Sequence, residues 1–270
     1  MRPWAWVALL GAATGALAAE PVRTAPAAPI PATTATAALV GELGGDDQAR
    51  AAEAAKKLGQ SVDPRALDAL VDTLTQGAEP TLATALLQAL AGKKDARAVA
   101  LAIEYAHHRA PEVRKAALAA LARLNDKRAV APLMAALGDS DAEVRAEAAM
   151  ALAQRREKGA EERLIKLMEH RDPSAAPALA AIATPELAHR LSEMLGQVPD
   201  PILCTTLGEM LKRPDFGPET IRVEVVKTLS KVPGIDSTTV LVEYLAATER
   251  DKNRPSRLEA QKIVDERSRP

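Results

Sequence analysis

The sequence predicts an all-α protein, built as a right-handed solenoid of about six stacked helix pairs. Three observations predict this class. Hydrophobic residues make up 47% of the 270 residues but aromatic residues only 2%, so most apolar residues are Ala, Leu and Val, of which Ala and Leu favour helices. Sequence patterns recur about every 31 residues. No stretch alternates apolar and polar residues as a half-buried strand does.

The recurrence is clearest in two short patterns. A-P-E-V-R-K-A-A-L-A-A-L begins at Ala110 and D-A-E-V-R-A-E-A-A-M-A-L at Asp141, which places Arg114 over Arg145. A weaker copy near the end of the chain has Arg222 in the place of Arg114. The second pattern, Asp-x-Arg-Ala, begins at Asp63, Asp95 and Asp126. Such periods are typical of solenoids, in which each unit buries its apolar face against its neighbours.

Each unit contains two amphipathic helical patterns, in which apolar residues recur at steps of three and four. We expect Leu121 of the first pattern and Leu133 of the second to lie in the core. Prolines are favoured at the first position of a helix and indicate seven helix starts: Pro64, Pro80, Pro111, Pro173, Pro185, Pro201 and Pro218. Four polar residues directly precede such a proline and are expected to cap the helix: Asp63, Asp172, Thr184 and Asp200.

Through the Val-Arg-x-x-Ala pattern at Val113 and Val144, the sequence resembles the HEAT-repeat family, in the short bacterial form related to the phycocyanobilin-lyase-type repeats. The resemblance covers roughly Ala37 to Thr248 and weakens after His170. It implies a curved helical array that serves as a protein-binding scaffold, with the solenoid at residues 37–249. Such motifs identify an architecture more strongly than a function.

Residues 1–19 have the features of a secretory signal peptide. Arg2 supplies a positive start, and the segment from Trp4 to Ala13 is apolar and uncharged. Ala16 and Ala18 form a small-x-small cleavage site. The alternative, an uncleaved anchor, is disfavoured because the apolar segment is shorter than the roughly 20 residues that span a bilayer. We therefore expect a periplasmic or secreted protein without membrane insertion after cleavage.

The two ends of the solenoid are expected to be less ordered than its repeats. Residues 20–36 are rich in Pro, Ala and Thr, which predicts a disordered linker. Residues 250–270 are highly charged, which predicts a charged tail or a frayed last helix around Leu258, Ile263 and Val264.

Candidate catalytic and metal-binding patterns are weak. Glu104 with His107, and Glu186 with His189, form Glu-x-x-His pairs of the kind found in di-iron proteins. The pairs occupy different positions within their repeats, so stacking would not align them, and we expect no bound metal. Phosphate-binding glycine loops and zinc-binding cysteine pairs are absent from the sequence, and Cys204 lies in an apolar stretch that predicts a buried thiol. We therefore expect neither an enzyme nor a cofactor.

Three arginines, Arg65, Arg97 and Arg128, occupy one position in successive units. Each lies in the first turn of its helix, where the helix dipole disfavours a cation. One interpretation is structural: each arginine pairs with an aspartate of its own or the adjoining unit. The other is that the column of positive charge binds an acidic partner. We favour the structural interpretation, because the family resemblance also implies a ladder of ion pairs.

The formal net charge of −1 gives no indication of a nucleic-acid partner. We expect a non-catalytic scaffold of the cell envelope that binds an unidentified protein or peptide on the concave face of the solenoid, assigned to the second helix of each pair. Helical phase places nine residues there: Asp68, Asp72, Glu104, His108, Glu162, Lys166, His170, Arg190 and Glu243. Two alternatives remain, namely a metal-dependent or lyase-like enzyme and a structural component of an envelope assembly.

Overall fold

The computed structural model describes residues 32–269, so the predicted signal peptide and most of the predicted linker lie outside the described residues. The described part contains fifteen α-helices and no strand. None of these helices combines the length and apolarity needed to span a membrane. The helices are α1 (Ala32–Leu43), α2 (Gln48–Gln60), α3 (Pro64–Gln76), α4 (Pro80–Leu90), α5 (Ala96–Tyr105), α6 (Pro111–Leu124), α7 (Val130–Ala136), α8 (Ala142–Gln154), α9 (Glu161–Glu169), α10 (Ala175–Ile182), α11 (Pro185–Glu193), α12 (Asp200–Lys212), α13 (Glu219–Lys231), α14 (Ile235–Ala247) and α15 (Pro255–Arg267).

The helices are arranged in two layers. The even-numbered helices from α2 to α14 pack side by side in one layer, here called layer B, and the odd-numbered helices form the other, layer A. Short turns join consecutive helices into seven pairs, followed by α15. The predicted all-α solenoid is therefore confirmed, with seven pairs in residues 32–269 where the sequence predicted about six.

Layer B is the more tightly packed layer. Its helices are rich in Ala, and its glycines stand where two helices approach most closely. A Cβ atom on Gly59 of α2 would lie 2.9 Å from Ala89 of α4, and one on Gly208 of α12 would overlap Val240 of α14. Small side chains therefore permit an interhelical spacing that larger ones would prevent.

The predicted core residues and two of the four predicted caps are confirmed. Leu121 and Leu133 are completely buried. The Asp63 side chain accepts the backbone N–H of the second residue of α3, and the Thr184 side chain accepts a backbone N–H in the first turn of α11. The other two caps were predicted wrongly. Asp172 is not an N-cap, because α10 begins at Ala175, two residues after Pro173, and Ser174 is its N-cap. Asp200 is not an N-cap, because α12 already begins at Asp200 and the preceding residue is its N-cap.

The solenoid begins earlier than predicted. Residues 32–36, which were predicted to belong to the linker, are the first five residues of α1. Pro31 is the last proline of that segment, so no later residue blocks a helix. Thr36 and Leu43 are buried, and α1 packs against α2 and α3. The predicted boundary at Ala37 is therefore wrong by five residues.

The charged C-terminal segment is an ordered helix rather than a tail or a frayed end. α15 packs against α13 and α14. Its buried side chains, Ser256, Ala260 and Ile263, recur at helical spacing, whereas Leu258 is 55% exposed. The Glu219 carboxylate of α13 accepts the backbone N–H of Ser256 at 3.1 Å. Two arginines also take part in this packing, because Arg257 donates to the Leu245 carbonyl of α14 and Arg267 to the Ser230 carbonyl of α13.

The repeats after His170 follow a register that the sequence did not reveal. α10 has only eight residues and completes the pair begun by α9, while α11 and α12 form the next pair. The segment that carries Arg222, read as a copy of the Arg114 segment, is α13. α13 lies in layer A, whereas Arg114 lies on α6 of layer B. The match between Arg114 and Arg222 is therefore wrong as a match of repeat position.

Candidate binding surfaces

The nine residues predicted to bind a partner do not share one surface. Glu243 lies on α14 of layer B, where its Oε2 accepts a hydrogen bond from Lys212 Nζ at 2.7 Å. Placing it with the others was wrong, because the repeat register changes after His170. The other eight lie on helices of layer A or in the turns directly after them: Asp68, Asp72, Glu104, His108, Glu162, Lys166, His170 and Arg190.

Several of these eight residues are already engaged in contacts between neighbouring helices. Arg97 Nη1 of α5 lies 3.0 Å from Asp68 Oδ1 of α3, and Arg190 Nη2 of α11 donates to Glu162 Oε2 of α9 at 3.1 Å. Asp72, by contrast, is exposed and forms no salt bridge within residues 32–269. The predicted set therefore combines structural ion pairs with free surface charges.

The concave face was predicted on layer A, whereas helix packing favours layer B. The prediction took the Val-Arg helices, α6 and α8, as the first helix of a pair, so its second helices include α3, α5, α9 and α11 of layer A. Neighbouring helices are closer together in layer B, and a stack curves toward the side on which its elements are closer. We therefore take the surface of layer B as the inner one, because its Ala and Gly residues permit the close spacing of its helices. Helical phase alone does not reveal which layer has the closer spacing.

The exposed surface of layer B contains a groove near each end. One groove, of about 410 Å³, crosses α2, α4 and α6 and has Gly59, Ala85 and Gly92 among its lining residues. The other, of about 270 Å³, lies between α12 and α14, beside Gly208 and Val240. The same small residues that bring the helices together leave space above them, so the layer has depressions that could receive side chains of a partner.

The arginines of the predicted ladder each contact the aspartate two residues earlier in the chain. The pairs are Arg65–Asp63 at 3.4 Å, Arg97–Asp95 at 3.1 Å and Arg128–Asp126 at 2.9 Å. Each aspartate also accepts the backbone N–H of its arginine. The hydrogen bonds from Arg128 lower the pKa of Asp126 to about 2. This geometry is the one that the structural interpretation predicts, and the effect on binding stays a prediction.

A second, more buried set of arginine–aspartate pairs was not predicted. Arg114 of α6 binds Asp139 through two hydrogen bonds of 2.8 and 2.7 Å, and Arg145 of α8 binds Asp172 at 2.6 Å. Asp139 and Asp172 lie in the turns that precede α8 and α10. The signal was present in the sequence, because each Val-Arg pair is followed 25 or 27 residues later by an aspartate.

The two Glu-x-x-His pairs lie apart, at the end of α5 and on α11. In the described part of the chain, no group of three or more His, Cys, Asp or Glu side chains has an arrangement that could hold a metal ion. His189 of the second pair instead contacts another helix, with its Nδ1 2.6 Å from Glu224 Oε1 of α13. The hydrogen bond to Glu224 raises the pKa of His189 above its ordinary value.

Cys204 is 1% exposed on α12, as predicted for a buried thiol. Burial raises its pKa to about 11. A thiol with a raised pKa is a poor nucleophile at neutral pH.

Comparisons with known proteins place these features in context. No curated protein matches the chain. In fold, it is similar to the complex of CpcE and CpcF of phycocyanin lyase from Nostoc sp. PCC7120, with 19% identity, 91% of this chain and 99% of the other covered, and a TM-score of 0.47. It is similar to human deoxyhypusine hydroxylase with 18% identity, coverage of 87% and 96%, and a TM-score of 0.41. It is also similar to a designed armadillo repeat protein in complex with the peptide (KR)4, with 19% identity, coverage of 84% and 97%, and a TM-score of 0.36.

The sequence pattern that describes HEAT repeats matches residues 68–145 and 130–186. These residues run from within α3 to the start of α11. They contain the Val-Arg segments, the ladder pairs of Arg97 and Arg128, and the buried pairs of Arg114 and Arg145. The chain therefore contains HEAT repeats, in residues 68–186.

Proposed function

We propose that this HEAT-repeat solenoid is a non-catalytic scaffold of the cell envelope and that it binds a protein or peptide across the exposed surface of layer B. The observation that carries the proposal is the pair of grooves on that surface. They lie at opposite ends of one continuous layer, so an elongated partner would reach both. Because stacked repeats hold such a surface rigid, little ordering is needed on binding.

Charges of both signs border each groove. Glu53 and Lys56 line the groove over α2 and α4, with Lys56 Nζ 4.0 Å from Glu53 Oε1. Glu209 and Lys212 line the groove between α12 and α14, with Lys212 Nζ 2.9 Å from Glu209 Oε1. Because these charges already pair within each groove, a charged partner would have to exchange its own groups for them.

Site-specific photo-crosslinking in the native host tests the proposal. A photoreactive residue is placed on layer B at Gln88 or Thr205, and on layer A at Asp72 or Glu104; all four side chains are exposed. We expect both layer B positions to crosslink to the same protein or peptide and the layer A positions not to. Crosslinks from layer A alone, or equal crosslinks from both layers, would contradict this choice of surface.

The envelope location rests on the signal features of residues 1–19. Fractionation of the native host should place the protein outside the cytoplasm, and mass spectrometry should find Ala19 or Glu20 at its amino terminus. A membrane-bound form that retains Met1 or Arg2 would contradict cleavage.

The non-catalytic part of the proposal is tested by elemental analysis of protein purified without chelator. About one iron or zinc ion per chain would favour the metal-dependent enzyme instead. Concentration-dependent self-association in sedimentation experiments, together with crosslinks only between copies, would favour a structural component of an envelope assembly.

A further inference from the structure

Four successive turns that lead from layer B to layer A lie side by side along one edge of the solenoid. Lys93 Nζ donates to the Ser61 carbonyl at 2.5 Å, which joins the first turn to the second. A cleft of about 390 Å³ joins the second turn to the third. Arg155 Nη2 donates to the Asp126 carbonyl at 2.8 Å, which joins the third to the fourth. These turns and the adjoining helix ends form a continuous surface, here called the basic edge.

The basic edge and the opposite edge carry opposite charge. The four turns with four residues on each side are 57–67, 87–99, 121–133 and 151–164, and they contain twelve basic and six acidic residues. The turns from layer A to layer B, counted in the same way, are 40–51, 73–83, 102–114, 133–145 and 166–178. They contain six basic and eleven acidic residues. Although the net charge is only −1, basic residues are concentrated on one edge and acidic residues on the opposite edge.

Three acids of the basic edge, one in each of the first three turns, are paired with the arginine ladder. Asp63, Asp95 and Asp126 each bind a backbone N–H and the arginine two residues later. Four other cations are exposed and form no salt bridge within residues 32–269: Lys57, Lys94, Arg123 and Lys127. A fifth exposed cation is Lys158 in the fourth turn. The pKa of Glu186 is lowered mainly by hydrogen bonds from its own backbone N–H and from Thr184, and the charge of Lys158 contributes.

Favourable interactions with helix dipoles explain the positions of only two of the four cations that form no salt bridge. Lys57 and Arg123 lie in the last turns of α2 and α6, where a cation is favourable. Lys94 directly precedes the N-cap of α5, and Lys127 begins the 3-10 turn before α7. Both lie at the positive end of the following helix, where the dipole disfavours a cation. The fold therefore does not require these two lysines.

We propose that the basic edge binds an extended acidic polypeptide, whose carboxylates pair in turn with the free cations of successive repeats. This inference rests on the proposed function as a binding scaffold and assigns the chemistry of a partner. The cleft between the second and third turns is lined by Lys94, Arg123 and the exposed Asn125, together with Asp95 and Asp126, which pair with Arg97 and Arg128. A carboxylate entering it would meet two cations that form no salt bridge within residues 32–269 and an amide donor, beside two aspartates that are already paired.

The distance between successive turns of the basic edge also sets the spacing of acidic residues expected in the partner. Packed helices lie about 8–10 Å apart, and an extended chain advances about 3.3 Å per residue. An acidic residue at every third position would therefore meet one repeat after another. A single-stranded nucleic acid is disfavoured, because such ligands bind through aromatic stacking as well as charge. Of the described aromatic residues, Phe216 and Tyr244 are buried, and Tyr105 donates to the Leu74 carbonyl.

Fluorescence anisotropy with the purified full chain tests the inference. The probe is a labelled peptide of about eighteen residues with Glu at every third position and Ser and Gly between them. We expect saturable binding that weakens with salt. The variant Lys94→Glu/Arg123→Glu should lose about tenfold or more in affinity. The matched variant Arg109→Glu/Lys166→Glu, which changes the net charge equally on the opposite edge and on layer A, should lose less than about twofold.

Two further probes and the helix content separate the other outcomes. Absence of saturable binding, equal losses in both double variants, or tighter binding of single-stranded DNA or anionic vesicles would each overturn the inference. Circular dichroism should be unchanged in both variants, because all four side chains are exposed. Crosslinks on layer B without peptide binding would refute this inference alone, whereas peptide binding without those crosslinks would refute the proposed surface alone.

Discussion

Two arginines that follow an apolar residue in similar sequence segments, Arg114 and Arg222, differ in burial and in hydrogen-bond partners between the two halves of the solenoid. In the regular half, Arg114 and its Asp139 partner are each 14% exposed and form a two-bond pair at the edge. In the C-terminal half, Arg222 is 2% exposed and has no comparable aspartate. Its Nη1 and Nη2 atoms donate to the carbonyls of Leu211 and Arg213, both at 2.7 Å.

The difference teaches that the layer, rather than the motif, decides what the arginine does. On α6 and α8 of layer B, the arginine side chain extends to the next turn, where an aspartate accepts its hydrogen bonds. On α13 of layer A, the side chain of Arg222 extends to the end of α12, where its Nη atoms donate to carbonyls. Its Nε lies 3.5 Å from Glu219 Oε1, three residues earlier on the same helix, and its guanidinium lies 5.5 Å from the centre of the Phe216 ring. Burial lowers the pKa of Arg222, yet arginine keeps its proton in proteins.

The largest effect is expected from Arg222→Ala. Removing the guanidinium leaves the buried carbonyls at the end of α12 without their donors and opens a cavity beside Phe216. We expect the free energy of unfolding to fall by about 3–5 kcal/mol in urea denaturation. Arg250→Ala, at an exposed position in the turn before α15, is the matched control and should change it by less than about 0.5 kcal/mol. Similar values for both variants would show that Arg222 does not secure the C-terminal half.

A smaller effect is expected from the pairs in the regular half. Arg145→Ala removes the 2.6 Å bond to Asp172 and should lower the free energy of unfolding by about 1–3 kcal/mol. Adding Asp172→Asn to this variant should cost less than it does in the unmodified chain, because the partner is already absent. Additive losses in this double-mutant cycle would mean that the two side chains stabilise the chain independently.

The same pair predicts a dependence on acid. Burial alone would raise the pKa of Asp172, but hydrogen bonds from Ser174 and Arg145 outweigh it and lower the pKa below 3.8. A carboxylate with a depressed folded pKa contributes its stability above the unfolded pKa and loses it as the pH falls through the folded pKa. The difference between the unmodified chain and Asp172→Asn should therefore be constant near neutral pH and shrink below about pH 4.

An exposed arginine of the ladder should matter less for stability. Arg97 is 50% exposed and binds both Asp95 and Asp68, so Arg97→Ala should cost less than about 1 kcal/mol, and less still at high salt. The substitution uncovers two carboxylates near Lys94 and should therefore weaken binding of the acidic probe peptide. A loss of stability as large as that of Arg145→Ala would show that exposure does not separate the two sets of pairs.

The periodicity of the sequence correctly predicted those features that depend only on residues close together in the chain. It identified the helices, the buried Leu121 and Leu133, and the caps at Asp63 and Thr184, because each depends on residues within one or two turns. It did not reveal which layer is inner, since that depends on how closely Gly59 and its equivalents approach the neighbouring helix. The candidate surface was misplaced for the same reason.

Pairs between distant residues were predicted only in part. The ladder of Arg65 and its equivalents joins residues two positions apart and was recognised. Arg145 and Asp172 are 27 residues apart, and their contact depends on the stacking of two units. The change of register at α10 also escaped prediction, because a helix of eight residues leaves too short a periodic pattern to identify.

The smallest effect is expected from His189, which links α11 to α13 by a contact unlike any in the regular half. Nδ1 lies 2.6 Å from Glu224 Oε1, and Nε2 lies 3.4 Å from Glu193 Oε1. The hydrogen bond to Glu224, with the charges of both glutamates, raises the pKa of His189. A group with a raised folded pKa stabilises the chain fully below its unfolded pKa, about 6.5, and loses that contribution as the pH rises through the folded pKa.

His189→Gln should therefore lower the Tm near pH 5.5 and leave it almost unchanged near pH 9, since the imidazole is then neutral in both states. The side chain is 60% exposed, so salt should reduce even the acidic-side difference. His107→Gln, at an exposed position in the turn after α5, is the control and should show no such dependence. A Tm difference that stays the same at both pH values would mean that packing of the ring, rather than its charge, connects α11 to α13.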